Sequence, residues 1–307
     1  MQKEKEDMFF YEYFDEWTTL YKVGAVREVT LSKYRMTGRH IKRLAPKLKL
    51  KQLTRPLYQE LLNNFAIDHE KQTTTDFHFQ LKGAILDAVE EGLLSNNPTR
   101  KVVIKGKLAS YKKIKYLSQF DLKKLLEVLE LGSTVNEDWL FLLMAKTGIR
   151  FSEALALTPA DFDFVAQQVN IQKTWAYKDR EGGFQPTKNK ASQRRVSLDW
   201  KTNMQMAQLT QALSTGDLIF VKKKIYNSTL NHRLKRHCAR AGIPIISMHG
   251  LRHTHASLLL YEGVSIASVA RRLGHADMTT TQKTYLHIIQ ELENQDTDKI
   301  MRCLATL

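Results

Sequence analysis

Two cysteines in 307 residues, Cys238 and Cys303, cannot supply a disulfide framework or a four-cysteine metal site. His237 beside Cys238 reads as incidental surface chemistry rather than half of a zinc site. No apolar run approaches the roughly 20 residues needed to cross a bilayer, and neither a basic amphipathic anchor nor a lipidation signal is present. The opening MQKEKEDMFF lacks an apolar segment of signal-peptide type, so the expected location is the cytoplasm. Internal repeats, low-complexity tracts, a GxxxxGK[ST] phosphate loop and an HExxH pair are all missing. Acidic side chains are scarce, 32 against 47 lysines and arginines, for a formal charge of +15. That excess favours a polyanionic partner, most simply nucleic acid, because each phosphate contacted releases counterions. What is present, 43% hydrophobic and 26% charged residues, suits two globular domains that each bury a core.

The first hundred residues carry helical periods. Phe10, Tyr13, Phe14, Trp17, Leu20 and Tyr21 share one face, and Gly24 closes that helix. Thr30 is expected to cap a second helix with Leu31, Tyr34, Ile41 and Leu44 inward and Lys33, Arg35, Arg39, Lys42 and Arg43 outward. Thr54-Arg55-Pro56 starts a third helix, striped by Tyr58, Leu61, Leu62 and Phe65. A fourth, from near Thr75 to Gly92, carries Phe77, Leu81, Ala84, Ile85 and Ala88. These stripes read as the core of a bundle spanning 1–100, which leaves function to the basic outer faces. The lysine-rich stretch 101–115 has no sustained period and reads as a linker, either following a phosphate backbone or simply solvated.

A second domain is expected over 116–307. Ser118 caps a helix with Leu122, Leu125, Leu126 and Leu129, and Asn136 opens the next. Val169 and Ile171 alternate among turn residues, which predicts a small antiparallel sheet before helices resume near Ser228. The fold class is therefore mainly α with a small antiparallel β-sheet.

Several polar residues in this domain can carry chemistry. Arg150 follows Thr147 and Gly148 between two helices, with Glu153 placed either to orient it or to form a plain surface pair. His249 and Arg252 lie three apart at a helix start that Ser247 can cap, where open amides add anion affinity. His253 and His255 nearby raise a metal reading, which the sparse acids weaken. The helix with Ile266, Val269, Ala270 and Leu273 inward ends at Gly274, and His275 follows directly. Thr279 or Thr280 then caps a helix bearing Tyr285, ten residues after His275. Singly, each has an ordinary structural explanation. Jointly, they surround a phosphate with positive charge and set a phenol beside it.

TGIRFSEALALTPADFD, TKNKASQRRVSL, HGLRHTHAS and LGHADMTTTQKTYLH occur in that order. The chain resembles the catalytic domain of the tyrosine recombinase (phage integrase) family over its C-terminal two-thirds. The N-terminal helices resemble, less specifically, the core-site DNA-binding domain of phage and mobile-element integrases. No arm-site domain of the kind that precedes those helices in many integrases is visible ahead of Phe10. The resemblance implies a mixed α/β catalytic domain in which Arg150 and Arg252 clamp the non-bridging phosphate oxygens and Tyr285 attacks. It further implies that His249 accepts the tyrosine proton, His275 holds the scissile phosphate and a lysine protonates the departing 5′-oxygen. The family lysine stands in KTxxSxRxxP-like text, and KNKASQRRVS puts Lys188 in that place, with Asn189 for the threonine, Ser197 for the proline and Lys190 as the alternative. No metal or other cofactor is implied. The implied partners are double-stranded DNA at attachment sites and a homotetramer on it, with an excisionase or DNA-bending host factor as accessories. Ile300, Met301, Leu304 and Leu307 make an apolar edge suited either to exchange between protomers or to docking on the same domain. Two other classes compete: a type IB topoisomerase and a non-catalytic DNA-binding regulator.

Overall fold

Apolar residues three and four apart build α1 (Phe10–Lys22), α2 (Glu28–Leu44), α3 (Arg55–Ala66) and α4 (Lys71–Glu90). The computed structural model describes residues 7–108, 116–179, 181–187, 189–282, 284, 285 and 304. Lys188, Cys303 and the tail positions Ile300, Met301 and Leu307 lie outside them. The chain forms two units, Met1–Lys112 and Lys113–Leu307.

In the first unit Phe10, Phe14, Tyr58, Leu81 and Ile85 are fully buried, and Trp17 donates its indole N–H to Asp87 at 2.6 Å. The expected stripe of α1 holds to Trp17; Leu20 is 71% exposed and Tyr21 43%, with the Tyr21 hydroxyl donating to Glu91 at 3.2 Å just past the end of α4. Helix α2 starts at Glu28, ahead of Thr30, with Arg27 at the cap position. Helix α4 starts four residues before Thr75, since Thr74 and Thr75 donate to the carbonyls of Glu70 and Lys71 inside the helix rather than capping it. Lys33, Arg35, Arg39, Lys42 and Arg43 all face solvent on α2. The start of the expected linker is bound to this unit. Val102 and Ile104 pack on its core, Gln59 exchanges two hydrogen bonds with Val103, and the Lys107 amide donates to the His69 carbonyl at 2.8 Å.

The second unit begins with α5 (Gln119–Glu127), whose cap Ser118 accepts from the Asp121 amide, and α6 (Glu137–Thr147), capped by Asn136. After the single turn α7 (Phe151–Leu155) come two antiparallel sheets. One joins β1 (Phe162–Asp163), β2 (Gln168–Ile171) and β5 (Arg194–Ser197) in the order β1-β2-β5. The other pairs β3 (Lys173–Trp175) with β4 (Phe184–Pro186). Val169 and Val196 face each other, both fully buried, which is the period-2 signal of a half-buried sheet. Helices α8 (Trp200–Thr210), α9 (Asn227–Arg240), α10 (Met248–Tyr261) and α11 (Ile266–Leu273) complete the described part, with α10 packed along α6.

His237 and Cys238 are not surface chemistry. Both are buried, and the His237 ring lies 3.0 Å from the fully buried Asp138 carboxylate. Asp138 also accepts from Arg233 Nε at 2.9 Å and from the Glu130 amide at 2.8 Å, so α9 is fastened to the start of α6 by a buried charge with its acceptors filled.

Gly148 ends α6 in the left-handed region at φ +67°, and a Cβ there would stand 2.6 Å from the His255 ring and 3.0 Å from Leu273. Gly148→Ala therefore combines a backbone penalty of about 1–2 kcal/mol with a clash inside the core. We expect the unfolding free energy of the second unit, read from urea titration, to fall by at least that amount, and an unchanged midpoint would contradict the packing described.

Candidate active site

Helix α11 ends at Gly274, whose φ is +69°. The Gly274 amide donates to the Arg271 carbonyl and the His275 amide to the Ala270 carbonyl, both at 3.0 Å, a Schellman closure. That closure leaves the carbonyls of Arg272, Leu273 and Gly274 without helical donors. Each receives a guanidinium. Arg194 Nε donates to Arg272 O at 2.6 Å, Arg252 Nη2 to Leu273 O at 2.7 Å and Arg150 Nη2 to Gly274 O at 3.0 Å. The negative end of the helix dipole favours the cations gathered there.

Arg150 stands at the start of α7. Its amide donates to Glu153 Oε2 at 2.8 Å, and Nη1 donates to Glu153 Oε1 at 2.7 Å and to Ser192 Oγ at 3.4 Å. Glu153 is a buried orienting group, only 1% exposed, and not half of a surface pair. Burial alone would raise its carboxyl. Arg194, donating to Oε2 at 3.0 Å, and Arg150 outweigh burial and hold it below the usual carboxylate range.

Arg252 comes from α10, is 3% exposed and also donates to the Gly148 carbonyl at 2.7 Å. Desolvation and then Arg150 push its guanidinium down to about 9, and it remains charged at neutral pH. His275 sits beside the arginines with Nδ1 2.7 Å from Thr281 Oγ1. Burial, then Arg252 and Arg150, lowers its pKa to about 4, so the ring is neutral at pH 7.

Tyr285 is 2% exposed and packs with Ala256, Leu260, Val269 and Leu273. Its helix begins at Met278, and Asp277 rather than Thr279 or Thr280 caps it, accepting from the Thr279 amide at 2.9 Å. Burial pushes the Tyr285 hydroxyl up to about 12, with Arg252 acting in the opposite direction. The histidine in contact with it is His253, whose Nδ1 lies 2.9 Å from Oη. His249 is one ring further out, its centroid 4.6 Å from that of His253 in an edge-to-face pair. Desolvation, Arg252 and Arg150 all lower the His249 pKa.

His255 serves packing. Its Nδ1 bonds the Ala145 carbonyl at 2.9 Å while Nε2 accepts from Arg272 Nε at 2.8 Å, which fixes one neutral tautomer, and burial drives its pKa to about 3. Among the described residues no group of three or more His, Cys, Asp or Glu is placed to hold a metal ion.

The structure thus brings Arg150, Arg252 and His275 to one helix end and sets Tyr285 against His253 and, through it, His249. Lys188 lies outside the described residues. Lys190 is exposed on a one-turn 3-10 helix, Lys190–Ser192, capped by the Asn189 side chain. Sequence reading gave no role to Arg194, although it fills the arginine of the KTxxSxRxxP-like text. It set His253 aside, although the i, i+4 spacing from His249 puts both rings on one face of α10.

A helical unit followed by this arginine-lined α/β unit defines a class of protein. Residues 115–291 match the phage integrase family, and the chain belongs to that family. It is 26% identical to the ICEBs1 integrase of Bacillus subtilis (strain 168) over 226 residues, covering 69% of this chain and 61% of that protein. It is 30% identical to a XerC-like tyrosine recombinase of Caldanaerobacter subterraneus subsp. tengcongensis over 234 residues, covering 66% of this chain and 59% of the relative. The chain spans about three-fifths of the length of these two relatives. Its fold is that of the Tn1549 transposon integrase solved in complex with a circular intermediate DNA, with a TM-score of 0.77 at 15% identity over 90% of this chain and 94% of that one. A lambda integrase dimer bound to a core site superposes with a TM-score of 0.66 at 15% identity, over 89% and 97% of the two chains. No helix among the described residues is long and apolar enough to cross a membrane.

The depressed histidines make stability depend on pH. The folded pKa values of His255 and His275, about 3 and about 4, lie below the ordinary 6.5, so the unfolded chain binds more protons in between. Their contribution is complete above pH 6.5 and is lost as pH falls toward 4. His275→Gln should narrow the drop in melting temperature between pH 7 and pH 5, and an identical drop in both proteins would remove His275 from that account.

Proposed function

We propose that this chain is a site-specific DNA recombinase of the integrase type, cleaving and rejoining strands through a 3′-phosphotyrosine to integrate or excise a mobile element. The observation that carries the reading is the convergence of Arg150, Arg252 and His275 on one helix end beside the segment bearing Tyr285. Attack on a phosphodiester sets one anion against another and builds charge on the phosphorane oxygens. Arg150 and Arg252, already held by carbonyls and by Glu153, offer fixed positive charge where that charge develops. In the tautomer whose Nδ1 accepts from Thr281 Oγ1, 2.7 Å away, neutral His275 would present Nε2–H to a phosphate oxygen.

Tyr285 attacks phosphorus, the bond to the 5′-oxygen breaks, and a lysine, Lys188 or Lys190, returns a proton to that oxygen. His253 is the nearest acceptor for the tyrosine proton, and His249, the residue favoured by family pattern, follows it in the same ring pair. Reversal by a second 5′-hydroxyl joins the strand to a new partner without a cofactor. The substrate is double-stranded DNA at attachment sites, met by the +15 charge and the exposed cations of α2, in the cytoplasm. The working assembly is a homotetramer on DNA that exchanges C-terminal tails, with an excisionase or DNA-bending factor setting direction. The DNA assignment is supported by the Tn1549 and lambda integrases, both solved on DNA, whereas the tetramer follows from the need to join two duplexes. A purely DNA-binding regulator gives no reason for three arginines to converge beside a tyrosine.

A suicide substrate nicked near the cleavage site tests the chemistry. The wild type should become covalently attached, and Tyr285→Phe should bind the same DNA without attachment. An adduct in the Tyr285→Phe protein would remove Tyr285 as nucleophile. A bridging 5′-phosphorothiolate, whose leaving group needs no acid, should restore cleavage to Lys188→Ala, whereas rescue of Lys190→Ala instead would move the acid role to Lys190. Deleting the residues after Asp298 should reduce tetramer formation on DNA more than binding of a single protomer, and normal tetramers would exclude tail exchange.

A further inference from the structure

We propose that Arg194, resting on the recombinase reading above, is a positioning residue that holds the lysine-bearing turn against the phosphate-binding arginines. Its side chain is 7% exposed, and each of its three nitrogens already donates to a protein acceptor. Its three nitrogens instead reach three separate chain segments. Nε donates to the Arg272 carbonyl at the end of α11, 2.6 Å away. Nη1 donates to the Ser192 carbonyl at 2.9 Å, in the turn that follows Lys188 and contains Lys190. Nη2 donates to Glu153 Oε2 at 3.0 Å, the carboxylate that orients Arg150.

Two further contacts show how closely these segments meet. Ser192 Oγ is 3.4 Å from Arg150 Nη1 and donates to Asn189 Oδ1 at 2.7 Å, so the turn touches Arg150 directly. A Cβ on Gly274 would lie 2.9 Å from Arg194 Nη1 and 3.1 Å from both the Ala191 carbonyl and Ser192 Cα, which leaves no slack between the turn and the end of α11. One planar guanidinium meets all three acceptors because its donors diverge in a fixed fork. An ammonium is a single point on a flexible stem and cannot span them. Shifting the turn relative to Arg150 moves the proton donor away from the leaving oxygen while the arginines stay in place, and a displacement near 1 Å can cost about 10²-fold in rate.

Arg194→Lys keeps a positive charge beside the buried Glu153 and is the variant to test. DNA affinity should match the wild type, and single-turnover cleavage of an ordinary suicide substrate should fall by about 10-fold to 10²-fold. The bridging 5′-phosphorothiolate, which needs no proton at the leaving group, should recover most of that loss. A merely structural arginine predicts a lower melting temperature and an unaltered rate per folded molecule on both substrates, and that result overturns the proposal. An equal loss on both substrates also overturns it, because Arg194 would then act through Arg150 and not through the turn. If the lysine variant does not fold, Arg194→Gln carries the same comparison. The wild-type protein separates this idea from the reading beneath it: no adduct at Tyr285 in wild type refutes the recombinase assignment, whereas a normal adduct with an indifferent Arg194→Lys refutes the positioning role alone.

Discussion

Three consecutive carbonyls at the end of one eight-residue helix hold the second unit of this molecule in register. A Schellman closure uses up the amides of Gly274 and His275 and leaves the oxygens of Arg272, Leu273 and Gly274 pointing outward. Arg194, Arg252 and Arg150 then arrive from β5, α10 and the start of α7, elements far apart in the chain. Like charges packed this closely repel, and the arrangement persists because oriented carbonyl dipoles and one buried carboxylate, Glu153, lie among them. The packing core and the electrostatic centre are the same object seen from two sides.

That economy shapes the histidines. Around so many fixed cations, burial and repulsion both disfavour a protonated ring, which drives His255 and His275 far below their ordinary pKa. Neutral rings accept on one nitrogen and donate on the other. His255 spends both nitrogens on structure, between Ala145 and Arg272. His275 spends Nδ1 on Thr281. Environment, not residue type, separates the two roles.

Much of this was legible in the residues and some was not. Stripes such as Tyr58, Leu61, Leu62 and Phe65 predicted buried faces because helix period and burial are local properties. Caps at Ser118, Asn136 and Ser247 were equally readable, since their partners lie within three residues. Periodicity places the start of α4 four residues late, because its first turn, from Lys71, carries no apolar residue to mark a buried face. Arg150, Arg252, His275 and Tyr285 emerged from motif order. Arg194 and His253 did not, because their partners stand 78 and 32 residues away in the chain and only the fold brings them together. The exposed end of α1 and the buried His237 failed for the same reason.

Tyr285 fills space among Ala256, Leu260, Val269 and Leu273 as a core residue does. Withdrawing a ring of that size from a close-packed cluster leaves a void, and emptying such sites in other proteins costs about 3–5 kcal/mol. Holding Tyr285 in place and filling that space are therefore one contribution to the stability of the second unit.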